Sequence, residues 1–207
     1  MNLDTTLDRL RAANIRRLPL FKNRRGEPAH SQSDGSDWSL AEWTNAVAGE
    51  VGEACNLAKK LQRGDFGPFA SPGYNATCGE LAHELADVVI YADIACFRAG
   101  GSLREEIAKM RHLELQDRKS NNIAEMTNRI ASKIGSACEI ADGLTRGDLG
   151  APGSEHYTNA CRVLIRWLAA VALTAESASE VAGRSLNAAI IEKFNIVSDR
   201  VGCEVRL

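Results

Sequence analysis

The sequence predicts an all-α protein, a helical bundle built from two copies of one repeat. Apolar residues recur at helical spacing in almost every long segment, and no segment shows the alternation typical of a strand. Residues 40–107 align with residues 123–190 at a constant offset of 83 residues and without a gap, with 28 identities over 68 positions. A duplication of this length indicates two similar helical halves in one chain.

The first half begins after an N-terminal helix, predicted over residues 5–20, and a polar loop over 22–38. Ser39 and Glu42 have the spacing of a capping box, in which each side chain satisfies an open backbone donor of a new helix. This helix is predicted to run to Arg63, because Gly64 is a typical residue just past a helix end.

The rest of the first half predicts two more helices. A region rich in glycine and proline over residues 63–74 predicts a turn, and a second long helix follows over 77–99. Two glycines end that helix, and Ser102 begins another that we expect to reach about Arg118.

The second half repeats this pattern from Asn122. The predictions are a helix to Ala141 that Gly143 ends, a loop over 145–156, a helix over 158–181 and a last helix from Ser185. We therefore divide the chain into an N-terminal helix and loop, a first repeat and a second repeat. Their boundaries are 1–38, 39–118 and 119–207.

The bulk composition does not suggest a nucleic-acid polymer held by charge, because the formal net charge is only −2, and we expect no such partner. Residues 9–25 are an exception, since they contain seven lysines and arginines and no acid. Such a stretch is either a solvated helix face or an arm that contacts phosphates.

The six cysteines form no CxxC motif and no dense framework, which predicts reduced thiols rather than disulfides. Cys55 with Cys138, and Cys78 with Cys161, occupy equivalent positions in the two copies, as buried residues of a shared fold would. The N-terminal segment is polar, and no apolar run is long enough to span a bilayer. We expect a cytoplasmic protein without a membrane partner.

Two pairs of acids lie on consecutive predicted helices. Glu50 and Glu53 are three residues apart and share a helix face, and so do Glu84 and Asp87. If the helices pack antiparallel, four carboxylates surround one space, and they need a cation to stay ionised together. Oxygen ligands alone favour a hard divalent ion, Mg²⁺ before Zn²⁺.

The second copy lacks all four acids. The equivalent residues are Lys133, Ser136, Trp167 and Ala170, although the neighbours Gly52, Ala54, Cys55 and Ala86 are unchanged. An isolated pair of acids three residues apart is ordinarily a solvated surface pair. The joint loss, and the apolar sequence around each pair, instead predict a metal site in the first copy only.

These motifs resemble the MazG-like, all-α nucleoside triphosphate pyrophosphohydrolases. Residues 49–56 read GEVGEACN and residues 84–91 read ELADVVIY, similar to the family's E-x-x-E and E-x-x-D motifs on partner helices. The resemblance covers residues 38–110, and the tail 193–200, KFNIVSDR, is similar to the family's C-terminal segment. The spacing between the motifs is longer than in the family, owing to the 64–77 loop.

The resemblance implies an enzyme that cleaves a nucleoside triphosphate between the α and β phosphates and releases pyrophosphate. It implies Mg²⁺, or Mn²⁺, held by Glu50, Glu53, Glu84 and Asp87. A nearby water would attack phosphorus, and Glu50 or Glu53 would take its proton. The expected role is housekeeping of the nucleotide pool.

The resemblance also suggests substrate contacts. Tyr91 follows Asp87 by one turn and is equally open to interpretation as a core tyrosine. Lys59 follows the first motif and could reach the phosphates, although an exposed lysine is the default interpretation. Of the tryptophans, Trp38 is the better pocket candidate and Trp43 the better core residue.

The tail adds a second source of contacts. Family members with one repeat form dimers whose neighbouring chains complete each site, so we expect this chain to be a covalent pseudo-dimer. Its second repeat is then expected to lend Lys193, Asn195 or Arg200 to the substrate. By the same pattern, we expect two such chains to form a homodimer of pseudo-dimers.

Two alternatives remain at this point. One is the related phosphoribosyl-ATP pyrophosphatase activity, which the flanking sequence resembles less. The other is a nucleotide-binding sensor or scaffold without turnover, which the degenerate second copy suggests and the intact carboxylates of the first copy oppose.

Overall fold

The computed structural model describes residues 3–22, 25–32, 34–111 and 120–207, and within them the protein is all-α, as the sequence predicts. It contains seven α-helices and no strand in these ranges. The helices are α1 Leu3–Arg17, α2 Leu40–Arg63, α3 Pro72–Arg98, α4 Leu103–Arg111, α5 Ile123–Arg146, α6 Glu155–Val181 and α7 Leu186–Arg200. A short 3₁₀ turn, Leu18–Leu20, extends α1.

Three predicted helix boundaries were wrong. Helix α3 begins at Pro72 rather than residue 77, because the Ser71 side chain accepts a hydrogen bond from the backbone N–H of Tyr74 and caps it. Helix α5 continues through Gly143 and ends at Arg146. Helix α6 begins at Glu155 rather than residue 158, because the Ser154 side chain caps it as Ser71 caps α3. The predicted continuation of α4 towards Arg118 lies outside the described residues.

The two halves share helix lengths and helix ends. Helices α2 and α5 have 24 residues each, and α3 and α6 have 27 each. Gly64 and Gly147 end α2 and α5 in the left-handed region, with φ of 74° and 83°. A side chain is disfavoured in that conformation, so both copies require glycine at this position.

The halves meet in an antiparallel contact between α2 and α5, which is the most extensive helix pair in the described structure. The contact is reciprocal: the Cys55 thiol lies 3.7 Å from the carbonyl oxygen of Thr127, and the Cys138 thiol lies 3.7 Å from that of Thr44. Since these residues are repeat equivalents, the two bonds are related by a pseudo-twofold axis. All six cysteines are free thiols.

The halves also exchange their last helices. Helix α7 packs much more extensively on α3 of the first half than on α6 of its own half, and α4 packs mainly on α6. Each long helix pair is therefore completed by the terminal helix of the other repeat.

Helix α1 stands outside the repeat and connects both halves. Arg11 binds Asp93 of α3, with Nη2 2.8 Å from Oδ1, and Thr6 contacts Asn187 of α7. The Arg17 Nη1 atom donates to the carbonyl oxygen of Phe194, also in α7, at 2.8 Å. Helix α1 thereby holds α3 and α7 together beside the predicted site.

None of the helices in the described ranges combines the length and the apolar character that crossing a membrane requires.

Candidate active site

A cavity of about 280 Å³ lies between α1, α2, α3 and α7. Its lining divides into an acidic cluster, a basic side, an aromatic wall and an apolar remainder. The four predicted carboxylates, Glu50, Glu53, Glu84 and Asp87, all belong to this lining. The cavity therefore contains the acids that the sequence placed on facing helices.

Three of the acids form a group that could hold a metal ion. Glu50, Glu84 and Asp87 each offer a carboxylate oxygen, and these oxygens lie within 4.8 Å of one another. Glu53 is more exposed and is not part of this group, although it lines the same cavity. The donors are oxygen only, which fits a hard divalent cation.

Burial and mutual repulsion act on the protonation of this cluster. Burial, with the charges of Asp87, Glu53 and Glu84, raises the pKa of Glu50 to about 7. Burial also raises the pKa of Glu84 and of Asp87, although Lys193 opposes both shifts. A bound cation would remove this repulsion and keep the carboxylates ionised.

Lys193 reaches the acidic cluster from the second repeat. Its Nζ atom lies 2.8 Å from Asp87 Oδ2 and 3.7 Å from Glu84 Oε1. Burial alone would lower the pKa of Lys193, but the hydrogen bond to Asp87 and the nearby carboxylate charges raise it. The second half thus contributes a charged side chain to the acids of the first half.

The caps of α4 and α7 fix how Lys193 relates to the first repeat. Ser102 and Ser185 each accept a backbone hydrogen bond from the residue three positions later, and they are 83 residues apart. Lys193 therefore corresponds to Met110, which is buried, and not to its neighbour Lys109, which is exposed.

One wall of the cavity is aromatic. His30 stacks on Trp43 with ring centroids 5.2 Å apart, and meets Trp38 edge-on at 4.9 Å. Tyr91 lies 6.4 Å from Trp43 and joins this wall to Asp87, one turn earlier on α3. Trp43 is fully buried, as predicted, so it belongs to the core even though it is part of the cavity lining.

Helix α1 adds two cavity residues that the sequence interpretation did not identify as site residues, Asn14 and Arg17. Both are almost fully buried, and each has one polar side-chain atom without a partner among the described residues. The basic stretch over 9–25 was the only sequence signal for Arg17, but composition does not show which of its seven cations enters a site.

The predicted substrate contacts have different positions. Trp38, Tyr91 and Lys193 line the cavity. Lys59 is exposed on α2 and is not part of the lining, so the structure does not bring it to the site. Asn195 is also outside the lining, and its Oδ1 atom accepts a hydrogen bond from the backbone N–H of Leu207.

The glycines beside the first acidic pair do not mark close packing. A Cβ atom added at Gly49 or Gly52 would meet no atom within 4 Å. In the part of the chain that the structure describes, nothing in this protein therefore explains these two glycines.

The second half has no counterpart of the acidic cluster within the described ranges. At the position equivalent to Asp87 it has Ala170, which is buried, and Trp167, equivalent to Glu84, packs against the core. Apolar packing replaces charge there.

The chain was compared with protein-family models, curated proteins and solved structures, and it matches none of them.

Proposed function

We propose that this protein is a Mg²⁺-dependent nucleoside triphosphate pyrophosphohydrolase, converting an NTP or dNTP into its monophosphate and pyrophosphate. The observation that carries the proposal is the meeting of Glu50, Glu84 and Asp87 with Lys193 in a cavity that has an aromatic wall. Acids that bind a divalent ion, a cation for phosphate and flat rings for a base are the three requirements of a nucleotide site.

The three clustered acids would hold Mg²⁺, which would neutralise phosphate charge and polarise the reacting phosphorus. Glu53 lies outside the cluster but inside the cavity, so its carboxylate is free to accept a proton from the attacking water. We therefore favour Glu53 over Glu50 as the general base. When substrate is bound, Lys193 would pair with phosphate oxygens as well as with Asp87.

The aromatic wall accounts for the nucleoside. Trp38 is the partly exposed ring of this wall and packs against the buried rings of His30 and Trp43, so a base stacked on it would gain apolar contact. Tyr91 lies between this wall and Asp87. A substrate is therefore expected to extend from the acids, which receive its phosphates, towards the tryptophans.

The test is pyrophosphate release from the eight common NTPs and dNTPs, with Mg²⁺, with Mn²⁺ and with EDTA. We expect release that requires the metal and is fastest with one base. A nucleotide that raises the melting temperature of the protein while no pyrophosphate appears would favour a sensor instead.

A further inference from the structure

Two arginines of α1 differ in their charged partners: Arg11 is half-buried and ion-paired, whereas Arg17 is buried without an ion pair in the part of the chain that the structure describes. Arg11 is fully engaged: its Nε atom donates to both carboxylate oxygens of Asp93 at 3.0 and 3.1 Å, and its Nη1 and Nη2 atoms donate to the carbonyl oxygens of Gly101 and Asp93. Arg17, two turns later, has no carboxylate within ion-pair distance among the described residues. The contrast separates a structural arginine from one whose charge has no direct partner.

The guanidinium of Arg17 packs near two aromatic rings and makes few hydrogen bonds; the Phe21 centroid lies 5.2 Å from the guanidinium carbon. Nη1 donates to the Phe194 carbonyl oxygen at 2.8 Å and lies 3.4 Å from Ser198 Oγ. The Phe194 ring covers one face, with its centroid 3.4 Å from the guanidinium carbon. The Nε atom is buried and has no hydrogen-bond partner in the described part of the chain.

Such an arrangement is costly without a ligand. Arg17 is only 3% exposed, and burial lowers its pKa to about 10, even though the charge of Asp87 acts in the opposite direction. Buried charges in proteins are ordinarily paired, because desolvation of an unpaired ion is unfavourable. A buried guanidinium that lines a cavity with a free N–H therefore indicates an anionic ligand group.

The position of Arg17 selects which group. Arg17 lines the cavity together with Asp87, the acid of the metal-binding group closest along α3 to Tyr91, and with Tyr91 itself, which joins the cluster to the aromatic wall. Its charge also acts on both residues. Arg17 thus lies where the metal-binding acids end and the rings begin. In a nucleotide that spans both, the group at this boundary is the phosphate attached to the nucleoside.

We propose that Arg17 binds the α-phosphate of the nucleotide with its guanidinium, as a substrate-binding residue supplied by a helix outside the repeat. This inference rests on the proposed function for the orientation of the substrate. A guanidinium suits the role, because it stays charged when buried and its donors match phosphate oxygens.

The test measures binding of nucleoside monophosphates with the full-length protein and Mg²⁺, by calorimetry and by thermal shift. The probes are the eight common ribo- and deoxyribonucleoside monophosphates and the nucleoside of the tightest binder. Arg17→Met should weaken monophosphate binding by roughly 10- to 100-fold, as expected for hydrogen bonds to a charged group, and leave nucleoside binding unchanged. The control is Arg16→Met, because Arg16 is the exposed neighbour on α1.

Arg17→Lys covers the case in which the methionine variant does not fold. Lysine keeps the charge but has no Nε–H fork, so we expect an intermediate loss of monophosphate affinity. Wild-type monophosphate affinity in either folded Arg17 variant overturns the proposal. So does equal binding of monophosphate and nucleoside by the wild-type protein.

The two proposals fail differently. If the protein hydrolyses no triphosphate but its monophosphate binding depends on Arg17, the proposed function is wrong and the role of Arg17 in phosphate binding is supported. Hydrolysis by Arg17→Met with an unchanged Michaelis constant and unchanged monophosphate affinity would support the proposed function and remove the role of Arg17.

Discussion

The two halves of this protein share the lengths of their long helices but carry different side chains at the candidate site. Gly64 and Gly147 end equivalent helices, and the Cys55 and Cys138 thiols make equivalent hydrogen bonds across the pseudo-twofold axis. The acids of the first half have no counterpart in the described part of the second. Features that both halves retain are therefore explained by folding, and the acids that only one half carries are the candidates for a function.

The second half also contributes to the candidate site. Through α7 it places Lys193 against Asp87, while its own equivalent of Asp87 is the buried Ala170. The two halves have divided the parts of one site. Variants at equivalent positions can therefore test which half contributes what.

The largest expected effect is at Asp87. Asp87→Asn should reduce pyrophosphate release by on the order of 1,000-fold, because a neutral amide is a poor ligand for a divalent ion, whose stabilisation of the transition state is worth several kcal/mol. The matched control is Lys133→Gln, at the position equivalent to Glu50, which should keep full activity. Steady-state rates and circular dichroism of both variants measure this; equal activity in a folded Asp87→Asn protein would contradict the metal site.

Lys193 should show the next largest effect. Lys193→Met removes the cation that lies beside Asp87 and Glu84, so the Michaelis constant for the triphosphate should rise roughly 10- to 100-fold. Lys109→Met serves as control, because Lys109 is exposed in the other terminal helix and pairs with Glu106. Similar kinetics for the two variants would mean that α7 only supports the fold.

Glu50 should make stability depend on pH. Its pKa is about 7 in the folded protein against 4.5 as the ordinary value, so the native state keeps a proton that the unfolded chain loses between these pH values. The metal-free protein should therefore become less stable as the pH rises from about 4.5 to about 7.

Melting temperatures in EDTA across this range measure the effect. Glu50→Gln should flatten the profile, whereas Lys133→Gln should not. Added Mg²⁺ should reverse the trend near pH 7, because it binds the ionised carboxylates. A profile that is identical in wild type and Glu50→Gln would show that Glu50 is not the titrating group.

The smallest effects should be equal in both halves. Ser71 and Ser154 each cap a long helix by accepting a backbone hydrogen bond, from Tyr74 and Tyr157 respectively. Replacing either serine by alanine should lower the free energy of unfolding by about 1 kcal/mol. Denaturant titrations of the two variants measure this, and metal affinity should not change; a large difference between the halves would show that the caps are not equivalent.

The sequence predicted the helices and the acids because both depend on local patterns. Ser39 caps α2 with the predicted capping box, and the E-x-x-E spacing places Glu50 and Glu53 on one helix face. The start of α3 was missed because proline and glycine at its first residues were interpreted as a turn, whereas proline is compatible with a first helical position.

The rest of the site depends on contacts between distant segments. Nothing in the local sequence distinguishes Arg17, which is buried beside Phe194, from Arg16, which is exposed. Lys59 and Asn195 were selected from the resemblance, and their places in the structure follow from helix rotation and from the C-terminal segment, which binds Asn195. The residue types of Lys59 and Asn195 alone did not predict these positions.

The exchange of α4 and α7 has a consequence for how the site depends on concentration. In an assembly of separate single-repeat chains, dilution would separate the acids from the helix that completes them. Here one continuous chain carries both, so each molecule retains a whole site however dilute it becomes. Turnover per molecule is then expected to stay constant at concentrations where a non-covalent pair would dissociate.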